Sequence, residues 1–493
     1  MSSVLETYSQ TLSLNPARPV HFIGLGGIGM SGLAKILIES GFQVSGSDVR
    51  ENANLKALAA QGATVHVGHR AENLPTGADV IVSTAIATDN PEIQQAMETG
   101  CGIFHRSQLL REILQGEAFT QHGQHQYTVG ITGTHGKTTI TGMTGLALQA
   151  AGLNPTIVAG GLLPGLDTNA ILGKSSHIAV AELDESDGTL LQYTPTHSVV
   201  ANLELDHADH YTGGLNDVVK TFQKYLRALH PDSKVVFNTS CPTTTSLIDV
   251  APSHIEPILI APGDVYPADE QRTTYWLKNV RMWHRGCYQG YVYKKKRMLG
   301  ELNLTVPGRH NLFNALAAIA LGDQLGAEFE PMAEALHKFS GMGRRFERVG
   351  SLGGAWLVDD YAHHPTEVLA TLKAAKEALP GGTGQVIAVF QPHRFSRLKT
   401  FWDDFQTCFG DAHQVVITDV YAASEEPIDG VSAEALVQAM KQSGRHPNVR
   451  YLPKAEWEAF RQELDGEAKP QDIILSLGAG DVTNLFRNWK PQE

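Results

Sequence analysis

Cysteine is scarce in this chain. Four residues, Cys101, Cys241, Cys287 and Cys408, are scattered through 493 positions with no C-x-x-C pair. Such spacing excludes a disulfide framework and a thiolate zinc site, and it implies free thiols in a reducing compartment. Long apolar runs are missing as well: no stretch approaches the ~18 uninterrupted apolar residues that a helical membrane span needs. The opening segment, MSSVLETYSQTLSLNPARP, is polar and lacks the apolar core of a secretory signal. Positive charge is in deficit, with 39 Lys and Arg against 52 Asp and Glu and a net charge of −13. That balance weighs against nonspecific nucleic-acid binding. The expectation is a cytoplasmic protein with neither nucleic acid nor membrane as a partner.

Core-forming material is plentiful. At 42% hydrophobic and 18% charged residues the composition is globular, and the length predicts two to four domains. Short apolar runs alternate with helical patterns from Val20 to about Leu114, which predicts βαβ units on a parallel sheet. Periodicity is lost in LQGEAFTQHGQHQ. A second α/β block opens at YTVGITGTHGKTT, and residues 233–306 read as short β segments. Lys294 to Arg297 form a charge run there, the solvated end of a hairpin. The α/β pattern restarts near residue 343. Three α/β domains are therefore expected: a Rossmann-like domain over 1–122, a P-loop-type central domain with added β segments over 123–342, and a second Rossmann-like domain over 343–493.

Two glycine loops carry the chemistry. HFIGLGGIGMSG places Gly24, Gly26 and Gly29 in a G-x-G-x-x-G array after an apolar run, with Asp48 about 20 residues on. By itself this is the fingerprint of a dinucleotide-binding loop, which leaves an NAD-dependent oxidoreductase open. The second loop, GITGTHGKTT, departs from the strict G-x-x-x-x-G-K-[ST] pattern, because Ile131 stands where the first glycine belongs. An apolar strand still precedes it and a helix follows. Backbone N–H groups at that helix start would face phosphate oxygens, Lys137 would reach the β/γ-phosphates, and the Thr138 hydroxyl would approach Mg²⁺.

Acids gather beside this second loop. AVAELDESDG ends an apolar strand with Glu182, Asp184, Glu185 and Asp187. VVANLELDHADHY ends another with Glu204, Asp206, His207, Asp209 and His210. Carboxylates at two strand ends next to a phosphate loop suit a divalent cation, which phosphoryl transfer requires to offset charge.

G-T-H-G-K-T-T in this setting resembles the ATP loop of the Mur ligases, which build peptidoglycan precursors, and HFIGLGGIGMSGLA is similar to the UDP-sugar loop of their alanine-adding members. The resemblance runs from about residue 20 to about 485. It implies ATP and Mg²⁺ as cofactors, UDP-N-acetylmuramate and L-alanine as substrates, and a monomer or homodimer. The sugar nucleotide falls to Gly24, Gly26, Gly27, Ile28, Gly29, Met30, Ser31 and Asp48. ATP falls to Gly133, Thr134, His135, Gly136, Lys137, Thr138 and Thr139. Lys137, Glu182 and His207 are implied catalytic residues, with Thr138, Glu182 and His207 on the metal. TVPGRHNLFNALAA matches a family pattern that assigns Asn314 to the adenine side, although His310 and Asn311 could simply cap the helix beginning there. GMGRRFERVG supplies Arg345 for the nucleotide and leaves Arg344 to surface acids. In VDDYAHHPTE the resemblance turns Asp360 toward ATP and gives Tyr361 and His363 to the alanine pocket. Arg394 and Arg397 of FQPHRFSR, three apart on one helical face, would fork onto the alanine carboxylate. Lys220 and Lys224 match no motif for the carbamylated lysine that some members carry. A D-glutamate-adding or murein tripeptide recycling member would share the ATP loop and differ in the first glycine loop.

Overall fold

The structure, a computed structural model, describes residues 10–116, 126–173, 177–186, 188–207, 210–261, 272–446, 448–487 and 489. Three sheets follow one another along the chain. The first is fully parallel in the order β3-β2-β1-β4-β5, built from β1 (Val20–Ile23), β2 (Val44–Asp48), β3 (Thr64–Val67), β4 (Asp79–Val82) and β5 (Ile103–His105). The strand order reverses between β1 and β4, where an open α/β sheet leaves a crevice at its carboxyl edge. The first glycine loop leaves β1 at that point.

The second sheet has ten strands in the order β15-β14-β13-β12-β11-β10-β6-β9-β7-β8. They are β6 (Tyr127–Thr132), β7 (Thr156–Val158), β8 (Ala170–Ile171), β9 (Ile178–Glu182), β10 (His197–Val200), β11 (Lys234–Asn238), β12 (Glu256–Ala261), β13 (Thr273–His284), β14 (Cys287–Lys294) and β15 (Arg297–Pro307). The strands from β7 to β13 pair in parallel, whereas β8, β14 and β15 join antiparallel. The 233–306 region thus extends one sheet. Its charge run sits at the β14–β15 turn, where Lys294 reaches back to Asp323 at 2.6 Å while Lys295 and Arg297 are exposed. The third sheet runs β16 (Glu347–Leu352), β17 (Ala355–Asp360), β21 (Ile473–Leu477), β18 (Val386–Phe390), β19 (Gln414–Thr418), β20 (Val449–Leu452), with only β16 antiparallel. Central strands such as VIAVF and IILSL are buried throughout, as apolar runs covered on both faces by helices must be. The expected boundary near 122 lies outside the described residues, as do Asp187 and Asp209.

Packing differs at the two junctions. Leu33, Leu109 and Ile113 of the first unit share one apolar cluster with Leu183, Leu190 and Phe222 of the second. The third unit keeps its own apolar clusters. Around the second glycine loop it meets the central unit through polar side chains. Behind that loop, Gly142 and Gly145 of the Lys137–Ala150 helix let neighbours approach closely: a Cβ there would lie 2.2 Å from Met342 Sδ and 2.5 Å from Ile157 Cδ1.

Candidate active site

Register decides where the acids lie. β6 is flanked by β9 and β10, with Glu182 opposite Ile131 and Val200 opposite Thr132. The chain segments leaving the three strands therefore emerge side by side at one carboxyl edge. Between them the second glycine loop turns sharply. Gly133 (φ 118°) and Gly136 (φ 85°) both adopt conformations that disfavour a side chain. At Gly133 a Cβ would also sit 2.8 Å from Asn202 O. Asn202 clamps the loop, since its Oδ1 accepts from His135 N–H and its Nδ2 donates to His135 O, both at 2.9 Å. Thr134 N–H donates to Asn202 O, and Thr134 Oγ1 joins the Glu204 backbone. Gly136 caps the helix, so the N–H groups of Lys137, Thr138 and Thr139 occupy its first turn, where such donors have no intrahelical acceptor.

Lys137 Nζ donates to Gly133 O (2.6 Å), Thr134 O (3.0 Å) and Glu185 Oε1 (3.0 Å). Burial works against its charge and is outweighed by Glu185, Asp184 and Glu182, which hold its pKa above the ordinary value. Glu185 is itself buried, and burial pushes its carboxyl up to about 7 despite Lys137. Thr138 Oγ1 donates to Glu182 Oε1 at 3.1 Å, and Glu182 Oε2 accepts from Gly160 N–H at 2.8 Å. This hydroxyl and carboxylate are hard oxygen donors at the mouth of the second glycine loop, the donor chemistry Mg²⁺ prefers. His207 (φ 51°) lies further along the loop that follows β10, not at the strand end itself. Its Nε2 is 3.5 Å from Asp206 Oδ2, and Asp184 and Lys137 are among the charges acting on it.

The third unit closes over this edge. His135 Nδ1 lies 3.1 Å from Glu367 Oε1, and its Nε2 lies 3.5 Å from Glu204 Oε2. Burial opposes charge on the imidazole, but the two carboxylates win and lift its pKa to about 9. His135 is therefore an imidazolium bridging the glycine loop to the helix Pro365–Ala378. Thr366 Oγ1 donates to Glu204 Oε2 across the same junction at 2.7 Å. His135, Glu204 and His364 bring one ligand-type atom each within 4.8 Å of one another. However, Thr366 N–H donates to His364 Nδ1, which fixes the His364 proton on Nε2, so that ring faces the cluster as a donor. In that tautomer His364 turns a proton rather than a lone pair toward His135 and Glu204, which removes it as a third cation ligand.

A second bridge joins Arg397 to Asp206, with Nε at 3.2 Å and Nη2 at 2.9 Å from Oδ1. Burial would raise the Asp206 carboxyl, but Arg397 holds it well below the usual carboxylate range. Asp206, His207, Arg394, Arg397, Lys399 and Phe401 line a cavity of about 240 Å³ at this point. Arg397 Nη1 also meets His393 Nδ1 at 3.1 Å, and the His393 ring touches that of His363 edge-on. Burial lowers the His363 pKa to about 4, leaving it neutral near pH 7.

Several expected residues take other parts. Arg394 and Arg397 do not share a helical face, because Arg394 precedes the Phe395–Thr400 helix at φ 68° and only Arg397 lies within it. Arg344 is not a surface partner: it lies 3.4 Å from fully buried Asp359 and donates to Gly478 O at 2.5 Å. The SLGAGD turn thus serves this junction. Both Asp360 oxygens accept backbone N–H groups, from Phe346 and Ala362, so the carboxylate braces the turn that presents Arg345. Burial raises the Asp360 pKa to about 6. The Tyr361 ring lies under Arg344 and Arg345 and edge-on to His363. Asn314 Nδ2 donates to Asn311 Oδ1, its own Oδ1 sits 3.1 Å from the Cβ position of Gly136, and Asn311 Nδ2 donates to Pro307 O. His310 begins the helix without capping it.

At the first glycine loop, Gly24 (φ 86°) makes the turn, and Gly26 N–H donates to Asp48 Oδ2 at 2.9 Å. One Asp48 oxygen is thus committed to its own loop. Gly27 caps the Ile28–Glu39 helix, Gly27 and Ile28 are exposed, and Gly29 is half-buried. Met30 packs into the apolar core, whereas buried Ser31 donates its Oγ to Ile28 O in its own first turn, and the N–H groups of both donate to Gly27 O. Glu367 and His393 went unassigned because their partners lie on other loops. Arg106 was also missed: it follows β5 and reaches Asp184 Oδ2 at 3.1 Å.

Comparison with known proteins agrees with this architecture. Residues 19–118 match the Mur ligase family catalytic domain, residues 131–322 the Mur ligase middle domain, and residues 344–480 the Mur ligase glutamate ligase domain. A UDP-N-acetylmuramate–L-alanine ligase of Gloeobacter violaceus is 42% identical over 94% of this chain and 94% of its own. One from Sorangium cellulosum is 39% identical over 96% of each. The crystal structure of the UDP-N-acetylmuramate-alanine ligase of Thermotoga maritima superposes with a TM-score of 0.76 at 29% identity, covering 95% of this chain and 97% of that one. With three ordered domain matches and near-full-length relatives at this identity, the chain belongs to the Mur ligase family.

Proposed function

We propose that this protein joins L-alanine to the lactyl carboxylate of UDP-N-acetylmuramate at the expense of ATP, in peptidoglycan precursor synthesis. The carrying observation is the convergence at one edge of the Lys137 loop, the Thr138–Glu182 oxygen pair and the Asp206–Arg397 bridge to the third unit. The near-full-length relatives bearing that activity in their names support the choice of substrates. We read the units as 1–122 for the sugar nucleotide, 123–342 for ATP and 343–493 for the amino acid.

A carboxylate is a poor acyl donor, so its oxygen first takes the γ-phosphoryl group of ATP and becomes an acyl phosphate. The helix N-terminus behind Gly136 and the Lys137 ammonium offset charge on the transferring group. Thr138 and Glu182, joined by His207, would hold Mg²⁺, which supplies further charge neutralisation on the phosphates. Gly133, Thr134, His135, Gly136, Thr139, Asn314 and Arg345 frame the nucleotide, with Asp360 bracing Arg345. The neutral amine of alanine then attacks the acyl carbonyl, and the tetrahedral intermediate expels phosphate and gives up the extra amine proton to solvent or the departing phosphate, leaving the amide. Tyr361, His363, Arg394 and Arg397 surround the position we assign to the amino acid. Gly24, Gly26, Gly27, Ile28 and Gly29 hold the sugar nucleotide, with Asp48 fixing the loop shape.

The test is phosphate release with UDP-N-acetylmuramate, ATP, Mg²⁺ and each of several amino acids. Alanine-dependent release that EDTA abolishes is expected. Release that requires D-glutamate or a peptide in place of alanine would refute the reading.

A further inference from the structure

Arg106 stands between the two glycine loops. It follows β5, two strands from β1, and opens the helix Arg106–Gln115. Its backbone is held rigidly. His105 caps the helix by accepting from Ser107 N–H, while the Gln108 side chain accepts from His105 N–H at 2.9 Å. From this base one edge of the guanidinium reaches toward the first loop, where Nη1 would lie 3.9 Å from a Cβ placed on Gly29. The other edge crosses to the central unit, where Nη2 donates to Asp184 Oδ2 at 3.1 Å. Asp184 in turn is among the charges acting on Lys137.

We propose that Arg106 is a binding residue for the pyrophosphate of the sugar nucleotide, held in place by Asp184. The inference rests on the sugar-nucleotide reading above and adds a cation to it. Gly29 is the second residue of a helix whose N-terminus faces the crevice, and a glycine there leaves its surface open to a diphosphate. The guanidinium beside that surface brings a delocalised positive charge and its Nη1 donor toward phosphate oxygens. Because its far edge is already on Asp184, the same side chain ties occupancy of the acceptor site to the acids beside Lys137.

The experiment is calorimetry on the full-length protein and on Arg106→Gln and Arg106→Lys, with UDP, UDP-N-acetylmuramate and a nonhydrolysable ATP analogue as separate ligands. In Arg106→Gln the Kd for UDP and for UDP-N-acetylmuramate should rise together, by about 10- to 100-fold for a lost charged hydrogen bond. The ATP analogue should bind within about threefold of wild type, and Arg106→Lys should recover part of the loss because it keeps the charge. Unchanged UDP binding in Arg106→Gln overturns the proposal. So does an equal loss for the ATP analogue, which would mark a structural role. A loss confined to UDP-N-acetylmuramate, with UDP unaffected, would move Arg106 to the sugar acid and overturn it as well. Failure of the wild-type protein to bind UDP-N-acetylmuramate at all would refute the sugar-nucleotide reading itself, a different result from wild-type binding that Arg106→Gln leaves intact.

Discussion

Replacing Lys137 by methionine keeps the length of the side chain and removes its charge and three N–H donors. Those donors occupy Gly133 O, Thr134 O and Glu185. Two costs follow, and they separate experimentally. For stability, Glu185 loses the cation beside it, and its carboxyl, already pushed up to about 7 by burial, rises further. It then takes a proton near neutral pH instead of remaining a bare buried charge. The loss is therefore about 1–3 kcal/mol of hydrogen bonding, below the ~3–5 kcal/mol of a broken buried pair whose survivor stays ionised. The sign follows from linkage. The folded pKa of Glu185 lies above its ordinary 4.5, so stability from proton uptake is full below 4.5 and is lost as pH rises through about 7. The variant extends that window upward. For catalysis, one preorganised donor to the transferring phosphoryl group is gone, which should lower kcat by about 10²–10³, or about 2.7–4 kcal/mol. ADP release at saturating substrates, read beside a thermal melt, distinguishes the two. Turnover within about threefold of wild type in a folded Lys137→Met protein would refute the role of Lys137 in the chemical step.

Two further outcomes follow from the geometry. The His135 imidazolium stabilises the junction with Glu204 and Glu367, and its folded pKa of about 9 exceeds the ordinary 6.5. That contribution is complete below pH 6.5 and disappears as pH rises through 9, about 2–4 kcal/mol counted once for the cluster. The melting-temperature gap between wild type and His135→Gln should narrow over this range, and a gap independent of pH would refute the latch. Gly133→Ala combines a φ of 118° with a Cβ 2.8 Å from Asn202 O. Calorimetry with an ATP analogue should show at least about tenfold weaker binding, the equivalent of ~1–2 kcal/mol of backbone strain, with UDP binding unchanged. Equal ATP-analogue affinity in the two proteins would show that the loop tolerates the methyl group.

Local chemistry made a large part of this protein readable. G-x-G-x-x-G after VHFI and G-K-T-T after YTVGIT announce glycine loops because the required backbone angles, a strand before and a helix after, are all properties of short segments. The gathering of acids after β9 was also legible, whereas the choice of Glu182 among them, beside Thr138, came from the family resemblance. Side-chain direction within the first turn was less legible, as Met30 shows by packing into the apolar core.

Contacts between distant segments had no local signature. Arg106 reaches Asp184, His135 reaches Glu367, Arg397 reaches Asp206, and Arg344 reaches Gly478 O. These pairings depend on strand order and register, on β9 and β10 flanking β6 and on β17, β21 and β18 lying side by side. Sequence alone determined the number of α/β units, the two glycine loops and the residue types available near the strand ends. Tertiary structure decided which of those charges are spent on one another. The reason is physical: a motif fixes torsion angles over a few residues, whereas the energy of a buried charge depends on its neighbours in space, and parallel strands draw those neighbours from remote parts of the chain.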